Sequence, residues 1–196
     1  MKTKALAATA VFAALTIALN PAFTNIFFYA PFAQGLVYQI WEIPVVVAFL
    51  IISPLAGVTI SLLNTAVLLA VFPGVLPTGP FYNLAATLSM QVGIYIAYLL
   101  AKRVTQGKAE NATSKYELKW AALSTGMGML FRVVAMTIVL YIALPQNPPI
   151  GFAFPETLML GYLPFAAVFN ASLALYTILI AYFIARLVKK NLKLEI

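Results

Sequence analysis

The stretch "QIWEIPVVVAFLIISPLAGVTISLLN", residues 39–64, places one carboxylate, Glu42, at the head of a long apolar run. The segment "VVVAFLII" within it fits a buried strand as well as a helix. Because an isolated strand in a lipid bilayer leaves its backbone groups unpaired, the pattern predicts a helix. "SPLAG" at 53–57 then predicts a tight reversal, since Pro54 suits a helix start and Gly57 permits close packing.

Composition extends this interpretation to the whole chain. Of its 196 residues, 63% are hydrophobic and 9% are charged, and the mean hydropathy of +0.98 lies far above that of a soluble domain. We therefore predict an integral membrane protein. The sequence has no cysteine, histidine or aspartate, which argues against thiol or histidine catalysis and against a metal site. Neither an enzyme activity nor a cofactor is predicted.

Hydropathy divides the chain into candidate membrane-spanning helices, each about long enough for a bilayer core of roughly 30 Å. The predicted fold is one all-α membrane domain, 1–196, with six spans and both chain ends on the same side. The spans lie near 4–20, 36–53, 54–72, 82–101, 119–144 and 157–187.

Charge placement predicts the orientation of these helices. Basic residues precede the first span, fill the loop between the fourth and fifth spans, and follow the last span; they are Lys2, Lys4, Lys102, Arg103, Lys108, Lys115, Lys119, Arg186, Lys189, Lys190 and Lys193. By the positive-inside rule this side is the cytoplasm, and the rule explains the net charge of +7 better than nucleic-acid binding does. Connections 20–35, 73–81 and 145–156 are predicted outer loops, and Trp41 and Trp120 then belong to aromatic belts at opposite interfaces.

Three charged side chains remain near or within the predicted membrane: Glu42, Arg132 and Glu156. Such groups cost roughly 2.5–3.5 kcal/mol each on insertion scales, so they usually face a bundle interior and find partners. Arg132 lies roughly 20 Å along its helix from Lys119, near mid-membrane, and its long side chain reaches toward either acid. A structural Glu42–Arg132 pair and a direct role of Glu42 in ligand binding are equal alternatives.

Uncharged polar residues form stripes on the later spans. On the fourth, Asn83, Thr87, Gln91 and Tyr95 recur every four residues, which predicts one polar face that avoids lipid. Further stripes are Ser124, Gly128 and Arg132 on the fifth span and Tyr162, Ala166, Asn170 and Thr177 on the sixth, while Asn64 marks the third.

Hydrogen bonds between helices would explain each of these polar residues singly. Taken together, they favour a pocket for a flat, mostly uncharged organic molecule, because such pockets are apolar with a few placed polar groups. The candidate substrate-binding residues are Glu42, Asn64, Asn83, Gln91, Tyr95, Arg132, Tyr162 and Asn170.

The first span has small side chains at regular spacing. Ala10, Ala14 and Ala18 recur every four residues and share a face, which Thr9 and Ala13 are expected to widen. Small residues let two helices approach closely in a membrane, either within one bundle or between proteins. A secretory signal peptide is the alternative interpretation of this segment, but Asn20-Pro21 is a poor cleavage site, so a retained helix is expected.

The chain resembles the substrate-binding S components of energy-coupling factor (ECF) vitamin transporters, most of all those of riboflavin type. The resemblance covers most of the chain and rests on "ALAATAVFAALTIAL" in the first helix, on "EIPVVVAFLIISPLAGVTISLLN", where Ser53 stands in place of a glycine, and on "GPFYNLAATLSMQVG".

The resemblance implies high-affinity capture of a vitamin from outside, with the first outer loop as a lid and the substrate held by the last three helices. It also implies docking of an A-x-x-x-A face, matched by "AVFAA" at 10–14, on a membrane T subunit driven by two cytoplasmic ATPases. Riboflavin is the first expectation; biotin, thiamine, another vitamin or a nucleobase-like compound stay open.

Two other classes of protein remain alternatives. A membrane scaffold of the rod-shape-determining type has similar size and hydropathy and needs no pocket. A small secondary transporter needs a coupling ion, yet the sequence has no visible relay of buried acids and no clear internal repeat. It also has no G-x-x-x-x-G-K-[ST] phosphate loop, so ATP hydrolysis by that route requires partner subunits.

Overall fold

The computed structural model describes residues 3–33, 35–71, 76–104 and 118–192. The basic residues Lys2, Lys108, Lys115 and Lys193 therefore lie outside the described residues. Within them the elements are, in chain order, α1 (Thr3–Ala18), α2 (Pro21–Thr24), β1 (Phe28–Tyr29), β2 (Val37–Tyr38), α3 (Glu42–Ile51), α4 (Pro54–Val71), α5 (Gly79–Val104), α6 (Leu118–Ala143) and α7 (Glu156–Leu192).

Helices dominate this part of the chain, and four of them, α4, α5, α6 and α7, are long and apolar enough to cross a bilayer. The protein is therefore an all-α protein of membrane-embedded character. Helices α1 and α3 are apolar but shorter; α3, with 10 residues, is about 15 Å long, half of a bilayer core. The predicted number of six crossings and the orientation of the chain ends stay predictions.

The second predicted span, 36–53, is wrong at its beginning. Val37–Tyr38 is a strand that pairs antiparallel with Phe28–Tyr29, and the helix begins only at Glu42. Pro44 explains the late start, because proline is tolerated in the first turn of a helix but clashes with the preceding carbonyl groups in its interior. The predicted reversal at 53–57 is present, since α3 ends at Ile51 and α4 begins at Pro54.

Helix α3 lies inside the bundle rather than against lipid. Eight of its side chains are buried, among them Val46, Val47 and Leu50, and they join a core with side chains of α5 and α7 such as Met90 and Ile178. A helix that is apolar all round and buried by protein needs no polar face. The side chains of α3 are therefore mostly apolar because protein surrounds this helix.

Trp41, which precedes α3, is only 1% exposed, and its indole Nε1 donates to Gln39 Oε1 at 2.8 Å. Its predicted place in an aromatic belt is wrong, because a belt residue has to face the membrane interface. Trp120 at the other end of the bundle is half-buried, and the Nζ of Lys119 lies 5.3 Å from its ring centroid.

Glycines allow α5, α6 and α7 to pack closely. A Cβ on Gly93 of α5 would overlap the carbonyl oxygen of Met127 on α6, and a Cβ on Gly128 would lie 2.5 Å from Ile178 Cδ1 on α7. Such close approach over small residues is a principal means of helix association in membranes. Gly128 therefore serves helix packing here, and it brings Arg132, one turn further along α6, close to α7.

Candidate functional site

A cavity of about 810 Å³ lies at the end of the bundle where α1 and α4 finish and α5 and α7 begin. The described basic residues Lys4, Lys102, Lys119 and Lys189 lie toward the opposite ends of their helices. The cavity wall is mainly apolar, with side chains such as Met136, Leu140 and Leu173 from α6 and α7. Its polar groups are Asn20, Asn25, Gln39, Tyr82, Asn83, Arg132, Tyr162 and Asn170.

Arg132 connects three helices at the wall of this cavity. Its Nη1 donates to Glu42 Oε2 at 2.5 Å and its Nη2 to Glu42 Oε1 at 3.0 Å, which makes a bidentate pair with α3. Its Nε donates to Asn170 Oδ1 on α7 at 3.0 Å. Glu42, Arg132 and Asn170 are 0%, 3% and 5% exposed. These three residues are called the arginine cluster below.

The local fold holds each member of the arginine cluster in place. Glu42 lies in the first turn of α3, where the partial positive charge of a helix start favours a carboxylate. Asn170 is oriented by its own helix, because its Nδ2 donates to the carbonyl oxygen of Ala166 at 2.9 Å. The planar guanidinium matches a carboxylate in this two-bond geometry, which is the strong form of ion pair.

Of the two alternatives for Glu42, the structure has the Glu42–Arg132 pair, and Glu42 lies behind the cavity wall instead of lining it. The other acid near this end, Glu156, is exposed at the start of α7.

The described residues of the connection between α1 and α3, 20–33 and 35–41, cover one side of the cavity and are hydrogen-bonded to α7. The hydroxyl groups of Tyr38 and Ser172 are 2.8 Å apart, and the Tyr176 hydroxyl donates to the carbonyl oxygen of Gln39 at 2.7 Å. The rings of Tyr38 and Phe169 pack with centroids 5.0 Å apart. Pairing of β1 with β2 satisfies part of the loop backbone, as a segment near lipid requires.

The connection between α6 and α7 closes another side of the cavity. Phe152 and Phe154 both donate backbone N–H groups to the carbonyl oxygen of Leu144, at 3.2 and 3.0 Å. The Tyr82 hydroxyl of α5 donates to the carbonyl oxygen of Ile150. Gly151 lies so close to the chain that a Cβ there would overlap the carbonyl oxygen of Ala143. This loop is therefore a folded part of the wall.

Four of the eight predicted substrate-binding residues line the cavity: Asn83, Arg132, Tyr162 and Asn170. Glu42 does not line the cavity itself but is paired with Arg132, which does. Gln91 and Asn64 are buried at 2% and 1% exposure but do not line the cavity. The Nε2 of Gln91 donates to Ser61 Oγ at 2.8 Å, so Gln91 joins α5 to α4, and we call Ser61 and Gln91 the amide cluster.

The prediction that Tyr95 lies on a polar stripe facing the protein is wrong. Its side chain is 42% exposed and does not line the cavity. A repeat of four residues advances about 40° per step on a helix of 3.6 residues per turn, so the stripe that starts at Asn83 has turned roughly 120° by Tyr95. Asn83 and Gln91 stay on the protein side, whereas Tyr95 rotates out of it.

The predicted docking residues Ala10, Ala14 and Ala18 are all exposed on α1. Thr9 and Ala13, however, are buried, so the expectation that they widen the same strip is wrong. They lie on the buried side of the helix, where Ala13 packs in a core cluster with Trp41 and Val45. The alanine face is thus a surface of the chain, and its docking role stays a prediction.

Sequence reasoning missed the loop residues of the cavity, Asn20, Asn25, Gln39 and Phe152 among them. The signal that marked them was composition, since these connections are rich in proline and aromatics and carry no basic residue. Loops have no periodicity that assigns a direction to each side chain.

Within the described ranges, no group of three or more histidine, cysteine, aspartate or glutamate side chains that could hold a metal ion occurs. No protein-family model matches the chain, and no curated protein is similar enough to be counted as a relative. The features that bear on function are therefore the cavity, the arginine cluster and the resemblance in sequence pattern.

Proposed function

We propose that the protein is the substrate-binding subunit of an ECF-type transporter, which captures a vitamin, with riboflavin the first candidate, at the outer face of the cell membrane. The cavity of about 810 Å³ carries this proposal. Its volume falls within the range of small-molecule sites, and its apolar wall with a few convergent polar groups is typical of them.

The charge distribution supports an outward-facing cavity. Apart from Arg132, the basic residues of the described helices, such as Lys4, Arg103 and Lys190, lie toward the opposite ends from the cavity. By the positive-inside rule these ends belong to the cytoplasm. The cavity then opens to the outside, where a subunit that captures scarce nutrients needs its binding site.

Two observations favour this proposal over the alternatives. A membrane scaffold needs no binding cavity, whereas this protein has one lined by asparagine, tyrosine and arginine side chains. A proton-coupled secondary transporter needs a buried acid that is free to exchange protons, but the one buried acid among the described residues, Glu42, is paired through both oxygens with Arg132. The energy for uptake is then expected to come from a T subunit and two ATPases, with α1 as the docking helix.

The proposal is tested with purified protein in detergent and in proteoliposomes. The isolated chain should bind its vitamin without ATP, which an increase in melting temperature or a co-purified flavin absorbance spectrum would report. Proteoliposomes that contain the chain alone should not accumulate the vitamin, whereas addition of a T subunit and the ATPases should give ATP-dependent uptake. Accumulation by the lone protein under a sodium or proton gradient would contradict the proposal and favour a secondary transporter.

A further inference from the structure

Arg132 is the one charged side chain that lines the cavity in the part of the chain that the structure describes. Its charge is cancelled by Glu42, which contributes one negative charge through the bidentate pair. The binding surface formed by the described residues therefore has no net charge.

Most of the hydrogen-bond donors of Arg132 are already occupied. A guanidinium has five N–H groups and presents two of them together as a fork to a carboxylate or phosphate. Glu42 occupies such a fork, Asn170 accepts from Nε, and Met90 Sδ lies 3.8 Å from Nη1. One N–H on Nη2 has no partner among the described residues, which suffices for a single neutral acceptor such as a carbonyl oxygen.

A charged substrate would find no compensation in this cavity. The other polar groups of the wall are neutral amides and phenols, for example Asn83, Tyr162 and Asn170. Transfer of an ion from water into an apolar site is costly unless it is paired there, and here the available cation is already paired. A neutral, hydrogen-bonding molecule meets no such penalty.

We infer that the cavity selects an uncharged substrate, and that Glu42 is the residue that sets this selectivity by occupying the guanidinium fork of Arg132. The inference rests on the proposed function and specifies its substrate class. Glu42 acts as a positioning residue, since it touches Arg132 and does not line the cavity. Its place in the first turn of the largely buried helix α3 keeps the carboxylate fixed.

Matched compounds that differ in charge test this inference. The probes are riboflavin with riboflavin 5′-phosphate, biotinamide with biotin, and nicotinamide with nicotinate, and the readout is the dissociation constant of the purified full chain. In the wild-type protein the neutral member of the pair that binds should be preferred by at least about tenfold. A wild-type protein that binds a charged member as tightly as its neutral counterpart would overturn the inference.

The decisive variant is Glu42→Gln, which keeps the shape of the side chain and removes its charge. The freed guanidinium should shift the neutral-to-anionic preference toward the anionic member by roughly 10- to 100-fold, because hydrogen bonds to charged groups are the strong ones. The matched control is Glu156→Gln, the same chemical change at an exposed acid that does not line the cavity, which should leave the preference unchanged. A folded Glu42→Gln variant with the wild-type preference would overturn the inference.

If the Glu42→Gln variant does not fold, the double variant Glu42→Gln with Arg132→Gln tests the inference instead. It removes both charges, so the cavity remains neutral; affinity for the neutral probe should fall, but the preference ratio should stay within about tenfold of wild type. A larger change in the ratio would overturn the inference. Absence of binding by every probe to the wild-type protein would instead contradict the proposed vitamin binding, and the inference with it.

Discussion

Two buried polar clusters lie in different parts of the bundle and are satisfied to different degrees. In the arginine cluster every nitrogen of Arg132 and both oxygens of Glu42 have hydrogen-bond partners on three helices. In the amide cluster Gln91 Nε2 bonds to Ser61, whereas Gln91 Oε1 is buried without a partner among the described residues. A buried ion has to be paired, while a neutral amide tolerates one open acceptor at lower cost.

The position of the clusters adds to this difference. The arginine cluster reaches the cavity through Arg132 and Asn170, but the amide cluster does not. We therefore expect changes in the arginine cluster to alter both the stability of the fold and ligand binding. Changes in the amide cluster should alter stability alone.

Glu42→Ala should have the largest effect on stability. It leaves the guanidinium of Arg132 buried at 3% exposure without its carboxylate, and loss of one partner of a buried ion pair typically costs about 3–5 kcal/mol. Thermal unfolding in detergent, compared with wild type, measures the loss.

The double variant Glu42→Ala with Arg132→Met should recover much of this stability, because it removes the unpaired charge as well. Losses that simply add in the double variant would show that the two residues do not interact. Loss of ligand binding in a folded double variant would show that the pair serves binding as well as folding.

Asn170→Leu compared with Gln91→Leu should give an effect of intermediate size. Asn170 lines the cavity, so its loss should weaken vitamin binding by roughly 1–3 kcal/mol, the cost of polar atoms left unpaired. Gln91→Leu should leave affinity unchanged and reduce stability by about 1 kcal/mol through the lost bond to Ser61. Titration of each purified variant with the vitamin measures the affinities; equal losses of affinity in both variants would remove the distinction between the clusters.

Ala14→Trp should have the smallest effect on the isolated protein. Ala14 is exposed on α1 and belongs to neither buried cluster, so the melting temperature and the vitamin affinity should stay close to those of the wild type. Co-purification with the T subunit should nevertheless be lost, since a bulky ring prevents close helix approach.

The neighbouring variant Ala13→Trp is the control for Ala14→Trp. Ala13 is buried beside Trp41 and Val45, and overpacking of such a site costs about 1–3 kcal/mol or more. If Ala14→Trp unfolds the protein or abolishes vitamin binding, the exposed alanine face is internal to the working protein and the docking prediction is wrong.

The sequence predicted the membrane class and the long helices, because hydropathy is a local property. The cost of buried charge indicated that Glu42 and Arg132 need partners, but it left their pairing as one of two equal alternatives. The sequence did not predict the late start of α3, although Pro44 carries that information. Tyr95 was misplaced because a spacing of four residues drifts around a helix.

The individual contacts on the loop side of the cavity could not be predicted. The bonds from Tyr38 to Ser172 and from Tyr176 to Gln39 join residues more than a hundred positions apart. Hydropathy and periodicity predict which face of a helix is buried, but they do not predict which residues far apart in the sequence bond to each other. Periodicity likewise does not distinguish Asn83 from Gln91, which lie on one stripe in the sequence, although only Asn83 of these two lines the cavity.

The central claim, that the cavity is the vitamin site, is tested most directly by filling it. Leu140 lines the cavity on α6, whereas Ile138, two residues earlier, is 55% exposed and does not line it. Equilibrium binding of the vitamin to purified Leu140→Trp and Ile138→Trp, both checked for folding by size-exclusion chromatography, gives the comparison. We predict that Leu140→Trp abolishes binding and that Ile138→Trp binds like wild type; equal affinity in the two variants would contradict the assignment of the cavity.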